Sequence, residues 1–295
     1  MKRTIYLLIV LWSVNLALGL YVLVDTQHDR VLAETQARDK ALSLVRLVAE
    51  HTSATLQQVN IVLFHLHTSA HTDALHGALK HDRQQRAQVE RLLAEDQHRV
   101  PGLINLMLAD ANGQILAAAL KVPPDTTIAD RRYFQTLKSQ SDDALVISDL
   151  VQDRISKQWG LQIARRLTFP DGRFAGVLVA SLGVDAHFTA FYRTLPLGQN
   201  AALALMDHEL RLLVRYPQIE GVIGKHLSTP EVDALIAHGD TEIVTMADSP
   251  VDQVRRLAAI RKLDYFPLYA IVALADDDYL AYWWGQLPRP KGRGL

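Results

Sequence analysis

The sequence contains no cysteine and no excess of charge of either sign. The first absence excludes disulfides, thiolate metal sites, cysteine nucleophiles and a lipid-modified amino-terminal cysteine. Lys and Arg total 31 against 32 Asp and Glu, and the two signs are interspersed, so nucleic acid is not expected as a partner. Nucleophile elbows, Walker loops and dinucleotide fingerprints are also missing. We therefore predict no enzymatic activity, no catalytic residue, no cofactor and no metal.

Long apolar runs are scarce, because residues 5–24 form the one predominantly apolar stretch of that length. Twenty helical residues at ~1.5 Å each match the ~30 Å hydrocarbon core of a bilayer. Lys2 and Arg3 precede the run and Asp25 follows it, which places the amino terminus in the cytoplasm. We predict an uncleaved single-pass anchor with the bulk of the chain outside. The alternative is a signal peptide cleaved near Ala17-Leu18-Gly19.

Proline is absent from residues 25–96 and glycine occurs there once, so one or two long helices are expected. An amphipathic stripe follows a heptad pattern over Leu42, Val45, Ala49, Thr52, Leu56, Val59, Leu63 and Leu66. Such a stripe needs a partner surface. It could pack on the chain's own following domain, or pair with a second copy to give a homodimer through Leu42 to Leu66.

Beyond Pro101-Gly102, short apolar strands alternate with turn residues and one helical crossover, and the same order then repeats. The predicted fold class is α+β, with two modules built on antiparallel sheets. We divide the chain into a cytoplasmic tip and membrane helix (1–24), a long helical region (25–98), a membrane-distal module (99–198), a membrane-proximal module (199–275) and a carboxyl-terminal juxtamembrane tail (276–295).

Several short strings in this order resemble those of the periplasmic double-Cache (PAS-like) sensor domains of bacterial membrane-bound diguanylate cyclases and histidine kinases. They are Asp130-Arg131-Arg132-Tyr133-Phe134, Ser148-Asp149, Arg154-Ile155-Ser156-Lys157-Gln158-Trp159, Arg165-Arg166, Asp171-Gly172-Arg173-Phe174, Leu212-Leu213-Val214-Arg215-Tyr216-Pro217 and Phe266-Pro267-Leu268. The resemblance implies an inner-membrane sensor whose periplasmic distal module binds a small carboxylate or amino acid. No second span or output domain follows residue 284, so we expect either a truncated sensor or a stand-alone one that works through a partner.

An anion pocket needs a fixed cation and an apolar or aromatic wall. Trp159 and Arg165 share one face of a predicted strand, and the resemblance adds Tyr133 and Arg154 as pocket-lining residues. Ser181 stands where amino-acid-binding relatives carry an aspartate for the ammonium, which weakens the case for an amine. Each of these residues also has a structural alternative, as core, as a salt-bridged rim or as helix packing. The rival functions are a dimerisation or adaptor protein and an exported hydrolase.

Overall fold

The computed structural model describes residues 2–69, 82–140 and 145–281. Helix α1 (Lys2–Ser69) and helix α2 (Arg83–Arg99) supply the long helical region expected from the lack of proline and glycine. Asp82 caps α2, because its carboxylate accepts from the backbone N–H groups of Gln84 and Gln85. Among the described residues, no helix is long and apolar enough to cross a membrane.

The first module is a five-stranded antiparallel sheet in the order β2-β1-β5-β4-β3. Its strands are β1 (Leu103–Asp110), β2 (Ile115–Ala118), β3 (Leu145–Gln152), β4 (Trp159–Thr168) and β5 (Phe174–Gly183). Helix α3 (Arg132–Ser139) forms the crossover between β2 and β3. The Asp110 carboxylate accepts from the N–H groups of Asn112 and Gln114, which closes the hairpin turn between β1 and β2.

The second module repeats this topology in a five-stranded sheet of order β7-β6-β10-β9-β8. Its elements are β6 (Ala202–Asp207), β7 (Leu212–Tyr216), α5 (Pro230–His238), β8 (Glu242–Asp248), β9 (Arg255–Lys262) and β10 (Leu268–Ala275). Between the modules, a π-helical turn (Val184–Thr189) leads into the short helix α4 (Ala190–Tyr192). The fold is α+β with a long amino-terminal helix and two antiparallel sheets, as expected.

Helix α1 covers one face of both sheets. Its stripe residues Val45, Leu56, Val59 and Leu63 are fully buried in a single core with residues from β4, β5, β9 and β10. Arg46 adds a polar link, since its guanidinium is hydrogen-bonded to the Glu242 carboxylate on β8. The heptad stripe therefore packs on the chain's own modules, and a homodimer cannot use that stripe.

The carboxyl-terminal helix α6 (Asp276–Tyr279) stands at the start of the predicted tail. Its Asp278 carboxylate accepts hydrogen bonds from the backbone and the side-chain amide of Asn200, which fixes α6 beside the start of β6. Residues 282–295 of the predicted tail, and residues 70–81 of the helical region with His71 and Gly77, lie outside the described residues.

Candidate functional site

The face of the first sheet that points away from α1 carries a row of buried polar side chains. In the strand register, Ser181 on β5 stands between Asn105 on β1 and Gln162 on β4. Side chains alternate across a strand, so these three share a face with Ala164 and Val179, which pack against Tyr133 and Phe134 of α3. The row is thus enclosed between the sheet and the helical crossover.

Asp153 extends the row from the turn between β3 and β4. Its Oδ1 accepts from the N–H groups of Ile155 and Ser156 at 3.0 and 2.6 Å, which fixes the turn. Ser181 Oγ lies 2.9 Å from Asp153 Oδ2 and 2.6 Å from Gln162 Oε1. A hydroxyl carries one hydrogen and can donate to only one of these oxygens at a time. The row therefore offers more acceptors than donors, which suits a ligand that brings N–H groups.

Asn105 is the least satisfied member of the row. Its side chain is 0% exposed, and neither its Oδ1 nor its Nδ2 has a hydrogen-bond partner among the described residues. Leaving a buried polar group unsatisfied costs ~1–3 kcal/mol, so such groups need an explanation. A polar ligand seated on the row would supply both a donor and an acceptor to this amide.

A narrow cavity lies beside the row, lined by Met107, Ile128, Arg131, Tyr133, Val151, Gln152, Asp153, Arg154 and Gln162. Its volume of ≈ 10 Å³ is about the room that one water molecule needs. Two arginines close it. Arg131 Nη2 donates to the Gln152 carbonyl at 2.8 Å, and Arg154 forms a two-pronged ion pair with Asp130 at 2.8 and 2.5 Å.

Three of the five residues expected to bind the ligand meet at this place. Ser181 is in the polar row, whereas Tyr133 and Arg154 line the cavity. Burial raises the pKa of the Tyr133 phenol well above its usual range, so the ring is a neutral wall that also packs in the hydrophobic cluster under α3. The guanidinium of Arg154 lowers the pKa of Asp130 by hydrogen bonding to its carboxylate.

The prediction that Trp159 and Arg165 face this cavity is wrong. They do share a strand face, but Leu161 and Ile163 on that face pack in the core with α1. Arg165 Nη2 donates to Asn60 Oδ1 on α1 at 2.9 Å, and its guanidinium stacks 5.5 Å from the Phe64 ring. Trp159, at the first position of β4, is 53% exposed. Arg165 therefore joins the sheet to α1, and neither side chain lines the cavity.

The sequence interpretation missed Asn105, Asp153, Gln162 and Arg131. One signal could have found the first and third, because both interrupt apolar strands at positions that face the crossover. The sequence gives no comparable signal for Asp153, since an aspartate that opens a turn before Ser156 is ordinary turn chemistry. Its proximity to Ser181 depends on the pairing of β4 with β5.

The family comparison matches residues 185–273 to a double-Cache model described as a histidine kinase sensor domain. The fold also resembles the extracellular domain of rpHK1S-Z16, a protein assigned as a histidine kinase. That structure has a TM-score of 0.70 and 26% identity, over 86% of this chain and 98% of that one. Residues 185–273 are thus similar to a double-Cache sensor domain. No curated protein sequence matches the chain.

Two chemoreceptor structures share the fold of this chain at lower identity. One is the ligand-binding domain of Campylobacter jejuni Tlp3 in complex with L-valine, at 15% identity and a TM-score of 0.57, covering 85% of this chain and 97% of that one. The other is the ligand-binding domain of Pseudomonas fluorescens CtaA in complex with L-isoleucine, at 15% and 0.58, covering 86% and 98%. These matches are with sensor domains and not with catalytic domains.

Proposed function

We propose that this double-Cache domain is the extracytoplasmic ligand-sensing part of a bacterial membrane receptor, and that its first module binds a small amino-acid-like carboxylate. The observation that carries the proposal is the buried polar row of Asn105, Gln162, Ser181 and Asp153 with its unsatisfied Asn105 amide. An unsatisfied buried amide costs stability unless a ligand pairs with it. The amino-acid complexes of Tlp3 and CtaA support the ligand class by analogy.

The two ends of the proposed ligand would meet complementary groups. An ammonium would donate to Asp153 Oδ2 and Gln162 Oε1, the two acceptors that compete for the single Ser181 hydrogen. Asp153 would thereby replace the aspartate that position 181 lacks. The carboxylate would accept from Arg154, whose forked guanidinium now holds the Asp130 carboxylate. Tyr133 and Met107 would flank the aliphatic part.

Binding would require the cavity to open. Its ≈ 10 Å³ cannot hold an amino acid, so the loop before α3 must move away from the β3–β4 turn. The ion pair between Asp130 and Arg154 and the bond from Arg131 to the Gln152 carbonyl are the contacts that would break. A ligand carboxylate that takes the place of Asp130 on Arg154 offsets part of that loss.

Strand β4 offers a route from the site to α1. Gln162 faces the ligand site, and three positions later Arg165 is bonded to Asn60 on α1. A shift of β4 on binding would therefore be felt by the helix whose amino-terminal part we propose as the membrane anchor. The apolar run over residues 5–24 and its basic flank support that anchor, with the double-Cache domain in the periplasm.

We also propose that the receptor is a homodimer through the outer side of α1. Leu47 and Ile61 lie two heptads apart on the helix and are exposed, on a side that the two modules leave uncovered. This pairing surface differs from the buried heptad stripe that the sequence suggested. It leaves the core between α1 and the sheets intact.

A thermal-shift screen of amino acids and matched organic acids on the full chain tests the proposed function. A ligand at a hundred times its dissociation constant stabilises the fold by ~2.7 kcal/mol, a rise of several degrees. Asp153→Asn and Arg154→Gln should each remove the rise. A rise with an amino acid that survives both variants places the amino-acid site elsewhere, and no rise with any amino acid favours an adaptor.

A further inference from the structure

The second module contains a larger cavity on the corresponding face of its sheet. Its volume is ≈ 100 Å³, and alanines form much of its floor: Ala202, Ala204, Ala247, Ala258 and Ala273. Met206, Ile260 and Ile271 contribute the surrounding walls, and Val232 of α5 covers it from above. The space exists because short side chains stand on a sheet face that α5 and the loop after β8 bridge.

The register of the two sheets makes this cavity the counterpart of the polar row. Ser181 pairs with Asn105 on one side and Gln162 on the other. In the second sheet, Ala273 pairs with Ala202 on one side and Ala258 on the other. The repeated strand order means that three alanines occupy the positions of the three polar residues. The same place in the fold is thus polar in the first module and apolar in the second.

One end of this apolar cavity is cationic. Arg215 and Arg256 both line it and are only 6% and 5% exposed. They share one carboxylate: Asp252 Oδ2 lies 2.6 Å from Arg215 Nη2 and 2.9 Å from Arg256 Nη2. Two buried cations against one anion leave a net positive charge. Asp248 also lines the rim but is exposed, where water and salt screen its charge.

The two guanidiniums also retain donors. Arginine has five N–H groups. Arg215 donates hydrogen bonds to Asp252 and to the Pro217 carbonyl, whereas Arg256 donates to Asp252 and to the Asn200 carbonyl. Burial lowers the pKa of Arg215, and Asp252 opposes that shift. A second carboxylate at this place would complete the neutralisation.

From this arrangement we infer that the second module binds a small aliphatic carboxylate, with its hydrocarbon on the alanine floor and its carboxylate at Arg215 and Arg256. The proposal is independent of the first-module ligand, because no residue is shared between the two sites. An engineered cavity of ~150 Å³ accommodates benzene, so ≈ 100 Å³ suits a tail of four or five carbons. No acceptor row faces an ammonium here, which distinguishes this ligand class from an amino acid.

Calorimetric titration of 3-methylbutanoate into the full chain tests the inference. We expect saturable binding of one equivalent by the wild type, and at least ~10-fold weaker binding of acetate, which lacks the tail, and of 3-methylbutanamide, which lacks the charge. Ala258→Leu fills the floor and should abolish binding. Arg173→Met, at an exposed arginine in the β4–β5 turn of the first module, should leave it unchanged.

Arg215→Met is a second variant in case Ala258→Leu does not fold. It keeps the Arg256–Asp252 pair and should remove the preference for the acid over the amide. The inference is overturned if the wild type binds nothing at ~10 mM acid, if acid and amide bind equally, or if binding persists unchanged in a folded Ala258→Leu protein. A preference for the acid that survives Arg215→Met also overturns it.

Discussion

Ser181 Oγ lies 2.9 Å from the Asp153 carboxylate, although the two residues are 28 positions apart in the sequence. Ser181 belongs to β5, whereas Asp153 belongs to the turn before β4. The absence of an aspartate at position 181 suggested a site without an anionic group, yet the carboxylate reaches the same place from another element. The first module thus still has an anionic acceptor at this place, and Asp153 supplies it instead of residue 181.

The unsatisfied amide of Asn105 gives a prediction that separates stability from binding. Asn105→Leu keeps the number of side-chain heavy atoms and removes two unsatisfied polar atoms, so the free energy of unfolding should stay level or rise by up to ~1–3 kcal/mol. The affinity for the first-module ligand should fall by at least ~10-fold. Thermal denaturation and calorimetry of the same samples measure both effects.

Asn60→Leu is the matched control for that variant. Asn60 accepts from Arg165 and faces away from the site, so its loss should lower stability and leave affinity unchanged. A fall in affinity with Asn60→Leu as large as that with Asn105→Leu would contradict the assignment of the two sheet faces.

Asp130 competes with the proposed ligand for Arg154. Asp130→Asn should weaken the contact that closes the cavity and raise ligand affinity by several-fold, because Arg154 no longer has to exchange one carboxylate for another. Calorimetry measures the change. Asp171→Asn is the control, since Asp171 forms a similar exposed pair with Arg173 in the β4–β5 turn and should not alter affinity. Unchanged or reduced affinity in Asp130→Asn would refute the exchange.

The link between α1 and the second sheet should make stability depend on pH. Hydrogen bonds from Arg46, and then from Arg261, lower the pKa of Glu242 to about 2. A lowered carboxyl pKa adds stability that is fully present above the unfolded value, near 4.5, and is lost as pH falls towards 2.

Glu242→Gln should therefore show a smaller loss of unfolding free energy between pH 6 and pH 3 than the wild type, measured by urea denaturation. Glu220→Gln, at an exposed site with no ion pair among the described residues, should lose as much as the wild type. Equal losses of unfolding free energy in the wild type and in Glu242→Gln would show that this link does not contribute to the pH dependence of stability.

Lysine substitutions distinguish the proposed dimer surface from the buried face of α1. Leu47→Lys together with Ile61→Lys should convert a dimer into a folded monomer in sedimentation, because both side chains are exposed in the single chain. Leu56→Lys should instead unfold the protein, since Leu56 is fully buried and a lysine there has no partner. A wild-type chain that sediments as a monomer would exclude the dimer.

Much of the fold follows from local patterns. The strand and helix order of both modules agrees with the turn residues and apolar runs, because local chemistry decides where a strand ends. The heptad stripe predicted a buried helix face but not what covers it. Choosing between a second copy and the chain's own sheets requires long-range packing that periodicity does not encode.

The site was less predictable than the fold. Alternation grouped Trp159 with Arg165 correctly, but one strand gives no indication of which face meets α1. Arg154, Tyr133 and Ser181 came from the family resemblance and do converge. The positions of Asp153 and Asn105 beside Ser181 depend on strand register, which a single sequence does not reveal.

The central claim is that the ligand contacts the polar row, and the Asn105 side-chain amide reports that contact most directly. Its ¹H–¹⁵N signals, assigned by their loss in Asn105→Leu, should be followed while a ligand from the screen is titrated into the full chain. The account predicts that they move and saturate at the dissociation constant measured by calorimetry. Signals that stay in place while calorimetry shows saturation would contradict it.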